Sequence, residues 1–283
     1  LDDDGNGATH IPIRVTIAVT ESGGITFDFT GSAPQVQGSL NATEAITRSA
    51  CYYVVRCLME EEIPTNSGCN APVTVIAPQG TVVNALFPAA VAAGNVETSQ
   101  RIVDTILKAL APFAPHRVPS ASQGTMNNLL IGGWDSVRQR AFAYYETLAG
   151  GIGASPQGEG ASAMHSHCTN TRNTPIEALE THYPLRVVEY RIAEGSGGSG
   201  KHRGGEGLIR KVELLSEAHV SLITERRTLA PYGLEGGGEG EVGRNQLQIT
   251  LEEPSTDLPA KYSELCPTGS VVTVQTPGGG GWG

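Results

Sequence analysis

The chain is organised around the stretch Ala161-Ser-Ala-Met-His-Ser-His-Cys-Thr-Asn-Thr-Arg-Asn-Thr-Pro175, which packs two His, one Cys, one Arg, two Asn and three Thr into fifteen positions. In extended backbone, alternate residues share a face, so His165, His167 and Thr169 are predicted to point the same way. Side chains that both donate and accept hydrogen bonds are costly to bury unless every group is paired. The stretch is therefore predicted to form either a dense structural network or a functional site.

The composition favours a strand-rich globular protein. The 283 residues include 36 Gly and 17 Pro, an abundance typical of strands, tight turns and packed loops. The formal net charge is -10, and the longest basic run is Arg226-Arg227. Nucleic acids and anionic membranes attract basic patches, so we predict neither as a partner.

The cysteines indicate a reducing compartment. The sequence has five, an odd number, widely spread and without a Cys-x-x-Cys pair. Such spacing is typical of free thiols.

No apolar run approaches the roughly 18 residues of a membrane span, and no signal-peptide pattern is recognised. The predicted location is the cytoplasm.

Residues 1–184 are predicted to form an α+β region that begins with a β-hairpin. Alternating apolar residues from Ile11 to Val19 predict the first strand. Ser22-Gly23-Gly24 predicts the turn, and Ile25–Thr30 the returning strand.

Two stretches with apolar residues at helical spacing predict helices near 42–60 and 96–111. Asn41 and Glu44 have the spacing of a capping box for the first helix, and Asn95 is the predicted cap of the second.

Residues 185–283 are predicted to be β-rich, either as a second domain or as part of one continuous domain. The predicted strands, separated by Gly-rich turns, are Leu185–Ile192, Leu208–Leu215, Val220–Thr224, Gln246–Leu251 and Ser270–Gln275. The predicted fold class is therefore α+β: β-rich, with two well-defined helices, mixed or antiparallel sheets and many Gly-rich loops. Trp282 predicts that the C-terminal tail is docked.

Segments spread along the whole chain resemble the hydantoinase B family. They are Gly94–Ile102, Gln123–Asn128, Tyr145–Gly151, His165–Pro175 with Glu177 and Glu180, Gly195–Gly200, Arg203–Gly205, Glu225–Arg227 and Thr276–Gly283. The family includes the B subunits of 5-oxoprolinases and N-methylhydantoinases, related lactamases, and one of the subunits of acetone-type carboxylases.

The resemblance implies a division of labour between two subunits. A partner A subunit, an ATPase that uses ATP and Mg, would phosphorylate the oxygen of a cyclic amide. The B subunit would then support ring opening by metal-bound water, because phosphorylation creates a better leaving group and a metal supplies hydroxide near neutral pH. The runner-up is a carboxylase subunit. A third hypothesis is a non-catalytic structural and interaction module.

The resemblance also implies that part of the B subunit lies outside this chain. Family members are roughly twice this length, and Leu1-Asp-Asp-Asp-Gly5 matches their middle. We therefore expect a C-terminal half that is inactive alone and that is part of a hetero-oligomer. The divalent metal is expected in the N-terminal half, with no metal ligand assigned in this chain.

The candidate catalytic residues are His165, His167 and Arg172. The spacing of the two His suits metal ligands from one strand. The alternatives are hydrogen bonds to a substrate and hydrogen bonds within a structural network. Arg172 is predicted either to bind a carboxylate or phosphate or to pair internally with Glu177 or Glu180.

Four further polar residues are predicted to line a substrate pocket. Three of them lie beside Gly turns and are good candidates for pocket lining, with capping and loop hydrogen bonding as the alternative. These candidates are Gln123, Asn128, Glu146 and Asn170.

Three other motifs are interpreted as structural rather than functional. Cys168 beside His167 resembles a nucleophile–base pair, but strand neighbours point apart. Gly195–Lys201 nearly matches a phosphate-binding loop, yet the residues that follow are poor helix formers. Asp2–Asn6 resembles the start of a Ca²⁺ loop without its final Glu, and is interpreted as a linker or frayed end.

Overall fold

The computed structural model describes residues 1–21, 23–60, 63–64, 66–250 and 253–283. The chain forms two compact units, Leu1–Pro119 and Ser120–Gly283. Helices and mixed and antiparallel sheets occur together, which confirms the predicted α+β class. The domain division predicted at residue 184 stays a prediction.

The first unit contains a three-stranded sheet and two α-helices. Strand β2 lies centrally, antiparallel to β1 and parallel to β3. The elements are β1 (Thr16–Val19), β2 (Ile25–Asp28), α1 (Glu44–Leu58), β3 (Val73–Ile76) and α2 (Ser99–Leu110). The predicted hairpin and both helices are confirmed, although the first strand begins at Thr16 rather than Ile11. Ser22 of the predicted turn lies outside the described residues.

Both predicted helix caps were wrong. Thr43 precedes α1 without a side-chain cap bond. The Asn41 side chain instead bonds the main chain of Val36, Gly38 and Ala90, so it ties loops together. Asn95 lies inside a π-helical turn, Gly94–Thr98, that leads into α2.

The acidic N-terminal stretch is packed rather than frayed, which corrects the sequence interpretation. Asp2 and Asp4 are both buried. Asp4 accepts hydrogen bonds from the backbone N–H groups of Asn6, Ala8 and Gly38, at 2.8, 3.0 and 3.0 Å. Burial opposes ionisation of Asp4, but these donors outweigh it and hold its pKa below the ordinary value.

The second unit is built from two sheets that share one hydrophobic core. One sheet has four strands, in the order β11-β8-β4-β5, and the other has five, in the order β10-β9-β12-β7-β6. The first comprises β4 (Asn128–Asp135), β5 (Arg140–Thr147), β8 (Ala218–Ile223) and β11 (Lys261–Cys266). The second comprises β6 (Leu185–Ala193), β7 (Gly207–Leu214), β9 (Arg244–Gln248), β10 (Thr256–Leu258) and β12 (Val271–Gln275).

The core follows from alternation along these strands. Leu129 and Ile131 of β4 and Val220 and Leu222 of β8 face the same interior as Val212 of β7. Strands β10 and β11 were missed from the sequence, and Leu251 of the predicted fourth strand lies outside the described residues. A short helix, α3 (Ile176–His182), precedes β6.

A layer of packed glycine segments completes the second unit. The tail Gly278-Gly279-Gly280-Gly281 runs through its centre. Its four N–H groups donate to carbonyls of four different residues, Glu241, Gly205, Ala121 and Gly238, at 2.8–3.1 Å. An added Cβ would lie 1.9–2.1 Å from the carbonyl oxygens of Ser196, Ile152, Tyr232 and Ser199, respectively. Only glycine fits positions that have backbone on every side.

This layer confirms the docked tail and explains the Gly195–Gly200 motif. Trp282 pairs with His202 and Leu234. The residues after Gly200 lead into β7 without an intervening helix, so the motif lacks the helix N-terminus of a phosphate-binding loop.

All five cysteines are free thiols, as predicted. None of the described helices is both long and apolar enough to span a membrane.

We predict that Gly279→Ala destabilises the protein by about 3 kcal/mol or more, since its Cβ would lie 2.1 Å from the Ile152 carbonyl oxygen. The matched control is Gly158→Ala, where no heavy atom lies within 4 Å. Urea unfolding followed by circular dichroism measures both. Equal unfolding midpoints for the two variants would contradict the glycine-layer argument.

Candidate functional site

The candidate site lies at the end of β5, an edge strand of its sheet. The last two residues of this strand, Glu146 and Thr147, point to opposite faces of the sheet because side chains alternate along a strand. Both are buried polar residues. The segment His165–Asn173 contacts both of them, so it joins the two faces around the strand end.

On the inner face, Glu146 forms a buried ion pair with Arg210. Arg210 Nε donates to Glu146 Oε1 at 3.0 Å, and Nη2 donates to Oε2 at 3.1 Å. The side chains of Arg210 and Glu146 are 0% and 3% exposed, respectively. The Tyr144 hydroxyl also donates to Oε2, at 2.8 Å. Burial, reinforced by the negative charge of Glu146, raises the pKa of Tyr144, so this hydroxyl stays a donor.

The Arg210 guanidinium has a second contact and one unsatisfied group. It lies 4.5 Å from the centre of the Tyr190 ring, a cation–π contact. Its Nη1 is buried and has no hydrogen-bond partner among the described residues. Tyr190 also lines a cavity of about 240 Å³, together with Ala163 and Leu208 among others.

Asn173 connects the ion pair to the polar segment. Its Nδ2 donates to Glu146 Oε2 and to the Thr147 carbonyl, both at 3.0 Å. Its Oδ1 accepts from the Tyr190 hydroxyl at 3.2 Å. Asn173 is therefore held on one side by Glu146 and on the other by Tyr190, whose ring contacts Arg210.

On the outer face, Thr147 is linked to His165 through Thr171. The hydroxyls of Thr147 and Thr171 lie 2.6 Å apart, and Thr171 Oγ1 lies 3.1 Å from His165 Nε2. Met164 pairs with Gly150 through two backbone hydrogen bonds, which position the following His165. His165 Nδ1 is buried and has no hydrogen-bond partner among the described residues.

Burial lowers the pKa of His165 below its ordinary value of 6.5. The ring is therefore neutral near pH 7. One nitrogen is held by Thr171, and the other can accept or donate a proton. That combination suits a general acid or base, or a hydrogen bond to a substrate.

The extended geometry predicted for Ala161–Pro175 was wrong. Apart from the bridge at Met164, the segment is irregular, with a turn at His167 and Cys168. Cys168 has φ of 60°, a left-handed conformation that breaks the alternation. His167 lies half-buried at this turn, and its predicted catalytic role stays a prediction.

Arg172 and Asn170 lie at the surface. Arg172 forms no hydrogen bond or ion pair with any other described residue, so the predicted internal pairs with Glu177 and Glu180 are not formed. Glu180 instead accepts from the backbone N–H of Val187 at 2.8 Å. Arg172 remains available for an anionic ligand.

Asn128 belongs to the same strand end, whereas Gln123 belongs to a separate amide pair. Asn128 lies opposite Thr147 in the β4–β5 register and accepts from the Tyr145 hydroxyl at 2.7 Å. Gln123 Oε1 accepts from Asn127 Nδ2 at 2.8 Å. Asn127 adopts φ of 47° to make this contact. Gln123 is completely buried.

Sequence reasoning missed Arg210, Asn173 and Tyr190. A signal for Arg210 existed in the alternation Leu208, Arg210, Val212, Leu214, which places a charged residue on the apolar face of β7. Such a residue requires a buried partner. Asn173 lies in the polar stretch 161–175 but was not singled out there, and no local signal marks Tyr190.

The described residues contain no group of three or more His, Cys, Asp or Glu side chains arranged to hold a metal ion. The donor set around His165 consists of Thr hydroxyls rather than carboxylates or imidazoles. These residues do not fit a metal centre.

The whole chain, residues 1–283, matches the family model described as Hydantoinase B/oxoprolinase. This protein therefore belongs to the hydantoinase B/oxoprolinase family. It is 42% identical over 281 residues to 5-oxoprolinase 1 of Arabidopsis thaliana, covering 99% of this chain and 21% of that protein. It is 33% identical to the putative B subunit of a D-/L-hydantoinase of Pseudomonas sp. (strain NS671), covering 100% of this chain and 48% of that protein.

Two solved structures share the fold. The ATP-dependent caprolactamase from Pseudomonas jessenii superposes with a TM-score of 0.87 at 24% identity, covering 100% of this chain and 50% of that one. Nucleotide-free acetone carboxylase superposes with a TM-score of 0.81 at 19% identity. The match covers 95% of this chain and 41% of that one. The chain thus spans between about a fifth and a half of the proteins it matches.

We predict that Glu146→Ala destabilises the protein by about 3–5 kcal/mol, because it leaves the Arg210 charge buried without its partner. The double variant Glu146→Leu/Arg210→Met is expected to recover most of this loss, since no charge remains buried. Urea unfolding of the single and double variants measures the difference. Equal destabilisation of both variants would show that the charge of Arg210 is not the cause.

We predict that His165 makes stability depend on pH. Its folded-state pKa lies below 6.5, so the unfolded state takes up the proton first as pH falls. Stability should therefore decrease as pH falls through about 6.5. His165→Gln should lose less stability between about pH 7 and pH 5 than the unmodified protein. Unfolding free energies measured across this range test it, with the exposed His182→Gln as control; identical pH dependence in all three proteins would contradict the prediction.

Proposed function

We propose that this chain is part of the B subunit of an ATP-dependent cyclic-amide hydrolase of the 5-oxoprolinase or N-methylhydantoinase type. The observation that carries the proposal is the family match over the whole chain, together with 42% identity to a 5-oxoprolinase. The Pseudomonas relative is named as the B component of a hydantoinase, which supports a subunit role with an A-type partner.

In this proposal the activating groups lie outside the chain. ATP and Mg act in the A subunit, which phosphorylates the amide oxygen. A divalent metal, bound by the other part of the B subunit, would supply hydroxide. Opening an unstrained amide needs such help because its carbonyl is a poor electrophile. The assembly is a cytoplasmic hetero-oligomer, and the free thiols support a reducing environment.

The residues of this chain would bind substrate and handle protons. His165, neutral and hydrogen-bonded to Thr171, would exchange a proton with the reacting ring. Asn128, whose amide is bonded to Ile223 and Tyr145, would support the strand end beside the substrate, and exposed Arg172 would attract a carboxylate or phosphate. The ion pair of Glu146 and Arg210 fixes Asn173, and with it one end of the polar segment that carries His165, as catalytic groups require rigid support.

Two alternatives have separate support. The fold shared with acetone carboxylase favours a carboxylase subunit as the runner-up. The third hypothesis stays a non-catalytic module that supports the rest of the complex. Assays with ATP and either 5-oxoproline or acetone plus bicarbonate separate these functions.

We predict that His165→Gln in the complete A–B complex lowers turnover of 5-oxoproline by about 100-fold or more, because a proton-transfer group is lost. His167→Ala should also lower turnover if it serves the site. The control His182→Gln changes an exposed imidazole on α3 and should leave turnover unaltered. Melting temperatures of all three variants are measured in parallel.

Full turnover in His165→Gln would exclude the catalytic role of His165. If the melting temperature of His165→Gln fell together with its turnover, His165 would be a structural residue instead. Turnover of acetone and bicarbonate, but not of 5-oxoproline, would favour the carboxylase alternative.

A further inference from the structure

The outer face of the four-stranded sheet, which points away from the core, is uncharged over three of the rows that run across its strands. The strand registers place ten residues in these rows. They are the alternate residues of Leu130–Trp134, Ala141–Tyr145, His219–Ser221 and Ser263–Leu265, and none of them is Asp, Glu, Lys or Arg. This set is named the uncharged face.

The outer face of the five-stranded sheet has the opposite character. Four of its strands place charged residues there: Arg186, Glu189 and Arg191 on β6, Lys211 and Glu213 on β7, and one each on β9 and β10. An antiparallel sheet that packs one face on the core normally presents polar residues on the face in contact with water. The five-stranded sheet follows this rule, whereas the four-stranded sheet departs from it.

The large apolar side chains of the uncharged face are accessible. Trp134, Tyr145 and Leu265 are 54%, 53% and 58% exposed, respectively. Strands ~4.8 Å apart, with ~6.8 Å between successive residues on one face, give ten positions roughly 330 Å² of sheet. This area is comparable with the largest apolar patch of a typical monomer, and such patches often mark interaction sites.

The polar groups of the uncharged face bond to neighbouring side chains. The Tyr145 hydroxyl donates to Asn128 Oδ1 at 2.7 Å, which fixes the position of the ring. The hydroxyls of Ser221 and Ser263 lie 2.8 Å apart. A partner would therefore meet a rigid surface with few polar groups to desolvate. Exposed Trp and Tyr without neighbouring charges are typical of the centre of a protein–protein interface.

We infer that the uncharged face packs against the other part of the B subunit, an inference that rests on the proposed function. The chain covers 48% of the putative hydantoinase B subunit from Pseudomonas and 50% of the caprolactamase chain, so about half of each relative lies outside the match. A segment of that size buries apolar surface of its own, and the uncharged face offers the matching surface on this chain.

The position of the uncharged face favours this occupant. The row that borders it contains Thr147, which reaches His165 through Thr171. Lys261, at the far end of that row, is paired with Glu225. The proposed function requires the metal of the other part to lie close to His165, because hydroxide and the proton act on the same substrate. A segment seated on the uncharged face would extend to Thr147 and bring its metal to this strand end.

Cysteine labelling of the purified chain and of the complete A–B complex tests the inference. Ser263→Cys places a thiol on the uncharged face, and Arg186→Cys is the matched control on the charged face of the other sheet; both positions are exposed. In the complex, a maleimide should modify Ser263→Cys about tenfold more slowly than in the chain alone, because the partner excludes the reagent. Arg186→Cys should keep its rate. Peptide mapping by mass spectrometry separates these thiols from the native ones.

A benzophenone maleimide attached at Ser263→Cys identifies what covers the face. Crosslinks to the other part of the B subunit are expected. Crosslinks to the A subunit alone or to a second copy of this chain would overturn the inference, as would equal labelling rates in the chain and in the complex.

A charge on the uncharged face provides the second test. In the Ser263→Cys background, Leu265→Glu should reduce the protection from labelling about tenfold, because assembly would bury an unpaired carboxylate. The matched control Leu215→Glu changes an exposed leucine that follows β7 and should leave the protection intact. Circular dichroism verifies that each variant folds, and unchanged protection in Leu265→Glu would contradict the inference.

Neither measurement requires turnover. Hydrolysis of 5-oxoproline by a complex in which the uncharged face stays accessible would refute the inference alone. Protection by the other part of the B subunit without hydrolysis would refute the proposed function alone.

Discussion

The second unit depends on the close approach of backbone to backbone along the Gly278–Gly281 tail. Each glycine N–H bonds a different neighbouring residue, and each Cα is covered by the carbonyl of another. This arrangement satisfies backbone polar groups inside the protein without a regular sheet or helix. The tail thereby connects loops that are distant in sequence, including the Gly151–Gly153 segment that leads to His165.

The buried ion pair between Glu146 and Arg210 is the second constraint, and it depends on both sheets. Glu146 comes from the edge strand of one sheet and Arg210 from the other. Removing either partner would leave a charge in the shared core, so the pair specifies how these sheets meet as well as stabilising the site. Asn173 uses the same carboxylate, which makes the conformation of the polar segment part of this constraint.

The candidate site has a rigid inner layer beneath its exposed groups. Glu146, which is buried at the end of its strand, holds Arg210 and Asn173 in place. Arg172 at the surface then remains available to a ligand. A rigid inner layer supporting accessible charges is the arrangement that recognition of small polar molecules requires.

The sequence by itself determined the α+β class, both long helices, most strands of the second unit and the family, because periodicity and short motifs are local properties. It also selected His165, Glu146 and Asn128 as candidates, whose roles stay predictions. Only the tertiary structure decided that these residues meet at one strand end, that Gln123 belongs elsewhere, and that Arg210 and Asn173 complete the network. Asn41 similarly ties loops instead of capping a helix. Those outcomes depend on partners far apart in the chain, and a hydrogen bond between distant residues leaves no local pattern from which it could be predicted.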